Sequence, residues 1–241
     1  MSKLTGKIAV VTGVTGGLGQ IVAQKFIESG ATVIGTHNGS EHSTRIVDHF
    51  ASVIPDVSFY KVDATSSTDV KEFFKTVEKR FSTVHILCNL VGGVISGKVI
   101  EDLSDEEWNS MMDINLKSAF FMIREAVNAM KKSQFGRIIS IGARPAVIPE
   151  AGKSAYASSK AALMALTQTI AEEFRQLPFD CTANVIVPSI ILTEANKSWG
   201  TEEDQKKWVP TEDIADMIVY LCSTKAKTIN GQFIQMYGKV L

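Results

Sequence analysis

At 241 residues, 45% hydrophobic and 21% charged, the chain can bury one substantial core and reads as a single globular domain over 1–241. Its formal net charge of −1, with no basic block, supplies no long-range field to gather nucleic acid or an anionic membrane. No apolar run reaches the roughly 18–20 residues of a membrane span, which leaves chemistry on a small molecule as the favoured class.

Cys88, Cys181 and Cys222 are odd in number, far apart and free of C-x-x-C or zinc-ligand spacing, so they read as buried thiols in a reducing compartment. The amino-terminal M-S-K-L-T-G has no secretion-signal character, and a cytoplasmic protein is expected.

The first element is the β-branched run K-I-A-V-V-T, Lys7 to Thr12. Gly13-Val14-Thr15-Gly16-Gly17-Leu18-Gly19 follows, and then a helical pattern with Leu18, Ile21, Val22 and Phe26 on one face. Strand, glycine turn and helix in that order let the backbone approach a pyrophosphate, whose charge the N–H groups at the helix start stabilise. A plain tight turn is the alternative; the position between the first strand and first helix favours the nucleotide.

Gly30 ends that helix, and Ala31 to Thr36 is the second strand, followed by His37 and Asn38. His37, His42 and His49 lie close together, but no carboxylate or cysteine completes a ligand set, so no metal is predicted. Val57 to Val62 is the third strand and ends at Asp63, which could also cap the next helix, because Ser66, Ser67 and Asp69 crowd the same turn. Val70, Phe73, Phe74, Val77 and Phe81 then mark an amphipathic packing helix.

His85 to Asn89 is the fourth strand and runs into N-L-V-G-G, ending with Gly92 and Gly93. Ser104 to Glu107 has capping-box form and opens a helix expected to run unbroken to Lys132. Asn115 in its middle is mildly unfavourable for helix and suggests a local role.

The apolar run G-R-I-I-S-I-G precedes a helix over Ala155 to Leu177 that carries Tyr156 and Lys160 at i and i+4. A fixed ammonium beside a phenol favours phenolate, so this spacing predicts a lowered Tyr156 pKa and a group fit for proton transfer near neutrality. Cys181 to Val187 is the sixth strand and ends in Pro188-Ser189-Ile190-Ile191-Leu192-Thr193. The polar stretch beyond it is expected to be mobile, and 189–210 reads as a substrate lid. Thr211 is expected to cap the last helix, and Gly231 to Tyr237 forms the last strand. Continuous alternation of strand and helix predicts an α/β fold: a Rossmann-type doubly wound parallel sheet with helices on both faces.

The segment Y-A-S-S-K-A-A after G-R-I-I-S-I-G resembles the active-site segment of the short-chain dehydrogenase/reductase family, and the likeness covers essentially the whole chain. That resemblance implies catalytic roles for Tyr156, Lys160 and Asn115, the last organising a proton relay to the lysine. It implies dinucleotide contacts from Gly13, Thr15, Gly17, Leu18 and Gly19. It implies others from Asp63 to the adenine, from Asn89 and Gly92 bracing the sheet, and from Pro188, Ile191 and Thr193 around the nicotinamide. His37 and Asn38 stand where the family distinguishes NAD from NADP. Neither an acid nor an arginine is present there, and the missing acid favours NADP over NAD.

The family's serine, thirteen positions before the tyrosine, is Ala143 here. Alanine offers no donor, so one stabilising contact of ordinary ketone reduction is missing. Gly142-Ala143-Arg144-Pro145-Ala146 resembles the dihydropteridine reductase branch, as does E-A-N-K followed by D-Q-K-K-W-V-P. The expected activity is therefore hydride transfer from NADP or NAD to a small C=N, quinonoid or carbonyl substrate, with a pterin-like ring among the candidates. Ordinary carbonyl reduction, with Arg144, Ser140 or a water replacing the serine, stays open, as does a silent dinucleotide-binding protein. Relatives pair their two long helices across subunits, so a homodimer or homotetramer is expected.

Overall fold

The computed structural model describes residues 4–53 and 57–240; the first three residues of the amino-terminal M-S-K-L-T-G lie outside it. Strands and helices alternate as β1 (Ile8–Val11), α1 (Gly17–Glu28), β2 (Thr32–His37), α2 (Glu41–Val53), β3 (Val57–Lys61), α3 (Ser67–Phe81) and β4 (Ile86–Asn89). After these come α4 (Asp105–Met112), α5 (Ser118–Ser133), β5 (Phe135–Ile141), α6 (Ser154–Arg175) and β6 (Asp180–Pro188). The chain closes with β7 (Ile191–Leu192), α7 (Glu202–Gln205), β8 (Val209–Pro210), α8 (Thr211–Cys222) and β9 (Phe233–Met236).

Seven strands form one parallel sheet in the order β3-β2-β1-β4-β5-β6-β9. Its central strands are covered on both faces, which is why β4 and β5 read as apolar runs instead of alternating; every residue of both is buried. One core lies under α1 and α8, around Val22, Phe26, Ile214 and Ile218. The other lies under α3, α5 and α6, around Phe73, Val77, Met122 and Leu163. Strand order reverses between β1 and β4, so the crevice for a ligand opens at their carboxyl ends. Among the described residues no helix is long and apolar enough to cross a membrane.

Local chemistry sets the boundaries. Gly30 takes φ +87°, and the Gly30 and Ala31 N–H groups bond to Ile27 and Phe26, closing α1 with a Schellman turn. The Ser104–Glu107 capping box forms at the start of α4.

Two expectations are corrected. The helix from Ser104 is not continuous: Asp113–Lys117 winds into a π turn that separates α4 from α5. Thr211 does not cap α8; Pro210 holds the cap position, and the Thr211 hydroxyl bonds to the Glu212 carboxylate at 3.0 Å. Residues 189–210 hold short regular elements, with β7 and β8 paired in parallel, a 3₁₀ turn over Glu194–Trp199, α7 between them and Trp208 buried.

Candidate active site

The glycine turn and the start of α6 face each other across a cleft of about 480 Å³. Gly13 takes φ +63°, and a side chain on Gly19 would lie 2.8 Å from the Val14 Cα, so neither position tolerates a larger residue without strain. Gly16 caps α1 without any side-chain hydrogen bond, and the first turn holds no acid, which leaves that helix start open to an anion. These features fit a dinucleotide pyrophosphate, with Gly13, Gly17, Leu18 and Gly19 lining the cleft. Thr193 packs against the turn from the opposite wall, where a Cβ on Gly17 would meet it at 3.1 Å.

Tyr156 and Lys160 line the same cleft from the first turns of α6. Lys160 is buried and donates to the Ile141 carbonyl at 2.8 Å. Burial lowers its pKa to about 8. The expected lowering of the phenol is not found. Burial pushes Tyr156 up to about 12, and the Glu150 carboxylate adds to the rise.

Asn115 is fully buried in the π turn. Its Oδ1 accepts from the Gly93 N–H at 3.0 Å, while Nδ2 donates to the Gly93 carbonyl and to Ser159 Oγ, both at 3.0 Å. Ser159 Oγ in turn donates to the Tyr156 carbonyl at 2.8 Å, so the amide ties the strand-end loop to α6. Asn115 and Lys160 converge on Gly92, where a Cβ would sit 2.8 Å from Asn115 Oδ1 and 3.1 Å from Lys160 Nζ.

Gly92, Pro188, Ile191 and Thr193 also line the cleft, as does Ala143, which is 3% exposed. Thr15 does not, although its carbonyl accepts from Gln20 at 3.1 Å. Asn89 does not line the cleft either: it faces a separate small void with Thr12, Ser118 and Met122, and both ends of its buried amide lack a partner among the described residues. His37, Asn38 and Asp63 gather at the carboxyl ends of β2 and β3, outside the cleft. His37 Nδ1 accepts from the Gly39 N–H at 3.3 Å, Asn38 Oδ1 accepts from Ser40 N–H at 3.0 Å, and Asp63 holds the Thr65 N–H and hydroxyl instead of capping α3. Ser66 is the cap. Among the described residues no group of three His, Cys, Asp or Glu could hold a metal ion.

Sequence reasoning missed three features. The Thr12 hydroxyl accepts from the Leu90 and Val91 N–H groups at 3.0 and 3.2 Å, bracing β1 against the end of β4. Lys61 lies beside His37 in strand register and lowers its pKa, second to burial, while its stem fills the space over Gly39. Arg144, Glu150 and Lys153 form a charged triad inside the cleft. Strand register carries the second and cleft geometry the third, of which only the Glu150–Lys153 pair, three residues apart, is a spacing in the chain.

A family model described as short chain dehydrogenase matches residues 7–204. An NAD-dependent glycerol dehydrogenase of Listeria innocua is 31% identical, covering 98% of this chain and 94% of the relative. A D-beta-hydroxybutyrate dehydrogenase of Rhizobium meliloti is also 31% identical, over 96% of this chain and 97% of its own. A 3-oxoacyl-acyl-carrier-protein reductase of Salmonella typhimurium is 28% identical, over 97% and 96%. A crystal structure from Agrobacterium tumefaciens, assigned provisionally as a gluconate dehydrogenase, superimposes with a TM-score of 0.89 at 27% identity, covering 98% of this chain and 96% of that one.

Proposed function

The chain belongs to the short chain dehydrogenase family of NAD(P)-dependent oxidoreductases, and from that membership we propose that it reduces a small C=O, C=N or quinonoid substrate with Tyr156 as proton donor. The observation carrying this reading is that Tyr156, Lys160 and the glycine turn line one cleft of about 480 Å³. A bound nicotinamide coenzyme would supply the hydride.

With its pKa raised to about 12, the Tyr156 phenol stays protonated across the neutral range and holds a proton for the atom on which charge develops. Lys160, fixed by the Ile141 carbonyl, is set to hold ribose hydroxyls. Asn115 positions both through Gly92, Gly93 and Ser159. In this reading Ala143 leaves the developing charge one donor short, and loss of one such donor costs about 10²- to 10³-fold in comparable sites. Ser140 does not replace it, because it is fully buried and accepts from Thr167 at 3.0 Å. The gap favours conjugated substrates, pterin-like rings among them, which spread the charge themselves.

Lys61 supports NADP over NAD: it brings a cation to the edge where an adenosine ribose lies in this fold, and it makes no ion pair among the described residues. Residues 189–210 would form the substrate cover, since Ser189, Asn196 and Trp199 line the cleft. A homodimer or homotetramer is supported by Trp108 and Phe120, 38% and 41% exposed on α4 and α5, and solution mass tests it.

The deciding experiment is turnover with NADPH and NADH on quinonoid dihydropterin, a quinone and a simple ketone, with Ala143→Ser in parallel. Conjugated substrates should be reduced fastest, and the serine should raise ketone turnover selectively. A second reading, a silent dinucleotide-binding protein, is favoured by the altered N-L-V-G segment together with Ala143, which puts no donor on the cleft wall where the family carries serine. Tight coenzyme binding without turnover on any panel member would establish it.

A further inference from the structure

We propose that Arg144 and Lys153 seat a carboxylate group of the substrate, and that Glu150 is the internal carboxylate holding this seat in the free protein. The inference rests on the reductase reading and names the substrate class of that same site.

Arg144 follows Ala143 directly, and Lys153 occupies the cap position of α6, three residues before Tyr156. Both line the cleft with Glu150 between them. Glu150 Oε1 accepts from Arg144 Nη1 at 2.8 Å and Oε2 accepts from Lys153 Nζ at 2.5 Å, so one carboxylate is divided between two cations and the triad keeps one net positive charge. The donors are not exhausted. Among the described residues Lys153 bonds through one of its three N–H donors, and Arg144 bonds a carboxylate through Nη1 alone.

A strut that merely tied the 144–153 loop together would need a single cation on a single carboxylate. It would also sit as well on the outer surface, where such pairs contribute little. This triad instead lies in the cleft, with side chains 15% to 30% exposed, in a partly desolvated position where surplus cationic donors favour an anion more strongly. Val94, Pro145, Ile190 and Trp199 supply the apolar remainder of the wall. A small oxo acid or a conjugated acid matches that combination of one anionic end and an apolar body. Its carboxylate would take donors from Lys153 and Arg144 and compete with Glu150 for them.

Two measurements test this. In the first, no coenzyme is present: cleft binding is followed by tryptophan fluorescence, to which Trp199 on the cleft wall contributes, using butyrate and its uncharged isostere butyramide as probes. Butyrate should bind about tenfold more tightly, the scale of one charge-assisted hydrogen bond. Lys153→Met should bring the ratio near one, and Glu150→Gln should raise it several-fold by removing the internal competitor. A structural strut would move both variants in the same direction. In the second, the kcat/KM ratio of a 3-oxo acid to its methyl ester should fall in Lys153→Met through KM and rise in Glu150→Gln. Equal binding of butyrate and butyramide by the unaltered protein overturns the seat, even if the ester is reduced. A butyrate preference without turnover of either compound, or of quinonoid dihydropterin or a quinone, overturns the reductase reading and leaves the seat standing.

Discussion

One arginine lies within β5 near its amino end and another just beyond its carboxyl end, and each meets a carboxylate, but the two partnerships differ in how completely they close. Near the amino end, Arg137 is fully buried and its Nη2 bonds both Asp180 oxygens at 2.8 Å. Its Nη1 reaches the Gly136 and Asp180 carbonyls at 2.8 and 2.9 Å, and the Phe135 ring lies 4.3 Å from the guanidinium. Beyond the carboxyl end, Arg144 gives a single bond to a carboxylate that it shares with Lys153. Four good acceptors around one guanidinium make a joint, although its Nε has no partner among the described residues; one shared acceptor leaves more donors for something else. Place in the sheet decides which outcome is useful, because ligands in this architecture gather at the carboxyl ends of the strands.

The contrast predicts that substitutions at the carboxyl end change chemistry at little cost in stability, and those at the amino end do the reverse. The largest expected effect is Tyr156→Phe, which should lower turnover by about 10²- to 10⁴-fold while coenzyme affinity by fluorescence titration stays close to that of the unaltered protein. Unchanged turnover would remove Tyr156 from the reaction. Next, Asp180→Ala isolates a guanidinium without solvent access and should lower unfolding free energy in urea by about 3–5 kcal/mol, leaving coenzyme affinity of the folded protein intact. A loss below about 1 kcal/mol would make the two arginines equivalent and end the comparison.

A smaller effect separates the ends by pH. Lys160 has a folded pKa of about 8, below its ordinary value of 10.5, so below pH 8 the cost of burying its charge is present in full. Between those values the unfolded state binds more protons than the folded one, and stability rises with pH by at most about 3 kcal/mol. Tyr156 acts oppositely above its ordinary value of 10, where the unfolded phenol ionises first and its contribution falls toward pH 12. The stability of the unaltered protein relative to Lys160→Met should therefore climb from pH 8 to 10 in urea titrations. A flat difference would show that Lys160 is not desolvated as described. The smallest expected shift is in coenzyme choice: Lys61→Glu should weaken NADPH binding relative to NADH by about tenfold, the scale of one charged contact. No change in that ratio would remove Lys61 from coenzyme selection.

Much of the sheet was legible in the chain because strand and helix periodicities are local. The glycine turn, the Ser104–Glu107 box and the Tyr156–Lys160 spacing are local too, and each lies where its spacing placed it. The π turn was hidden because the apolar pattern of α4 and α5 continues across it; only Asn115, costly in a helix, signalled a local function. The Tyr156 pKa was misjudged because i, i+4 spacing reports proximity and says nothing of burial. Lys61 and the Arg144 triad needed strand register and the closure of the cleft, neither of which a one-dimensional pattern contains.

The Asn115 clamp on Gly93 also makes the floor of the cleft a clock. The Gly93 N–H bonds to a side chain seated in the π turn, so it can exchange with solvent deuterium only when that contact lets go. The exchange rate of this one amide counts how often the loop after β4, the π turn and α6 come apart, and a ligand that bridges the cleft would slow it without touching the glycine.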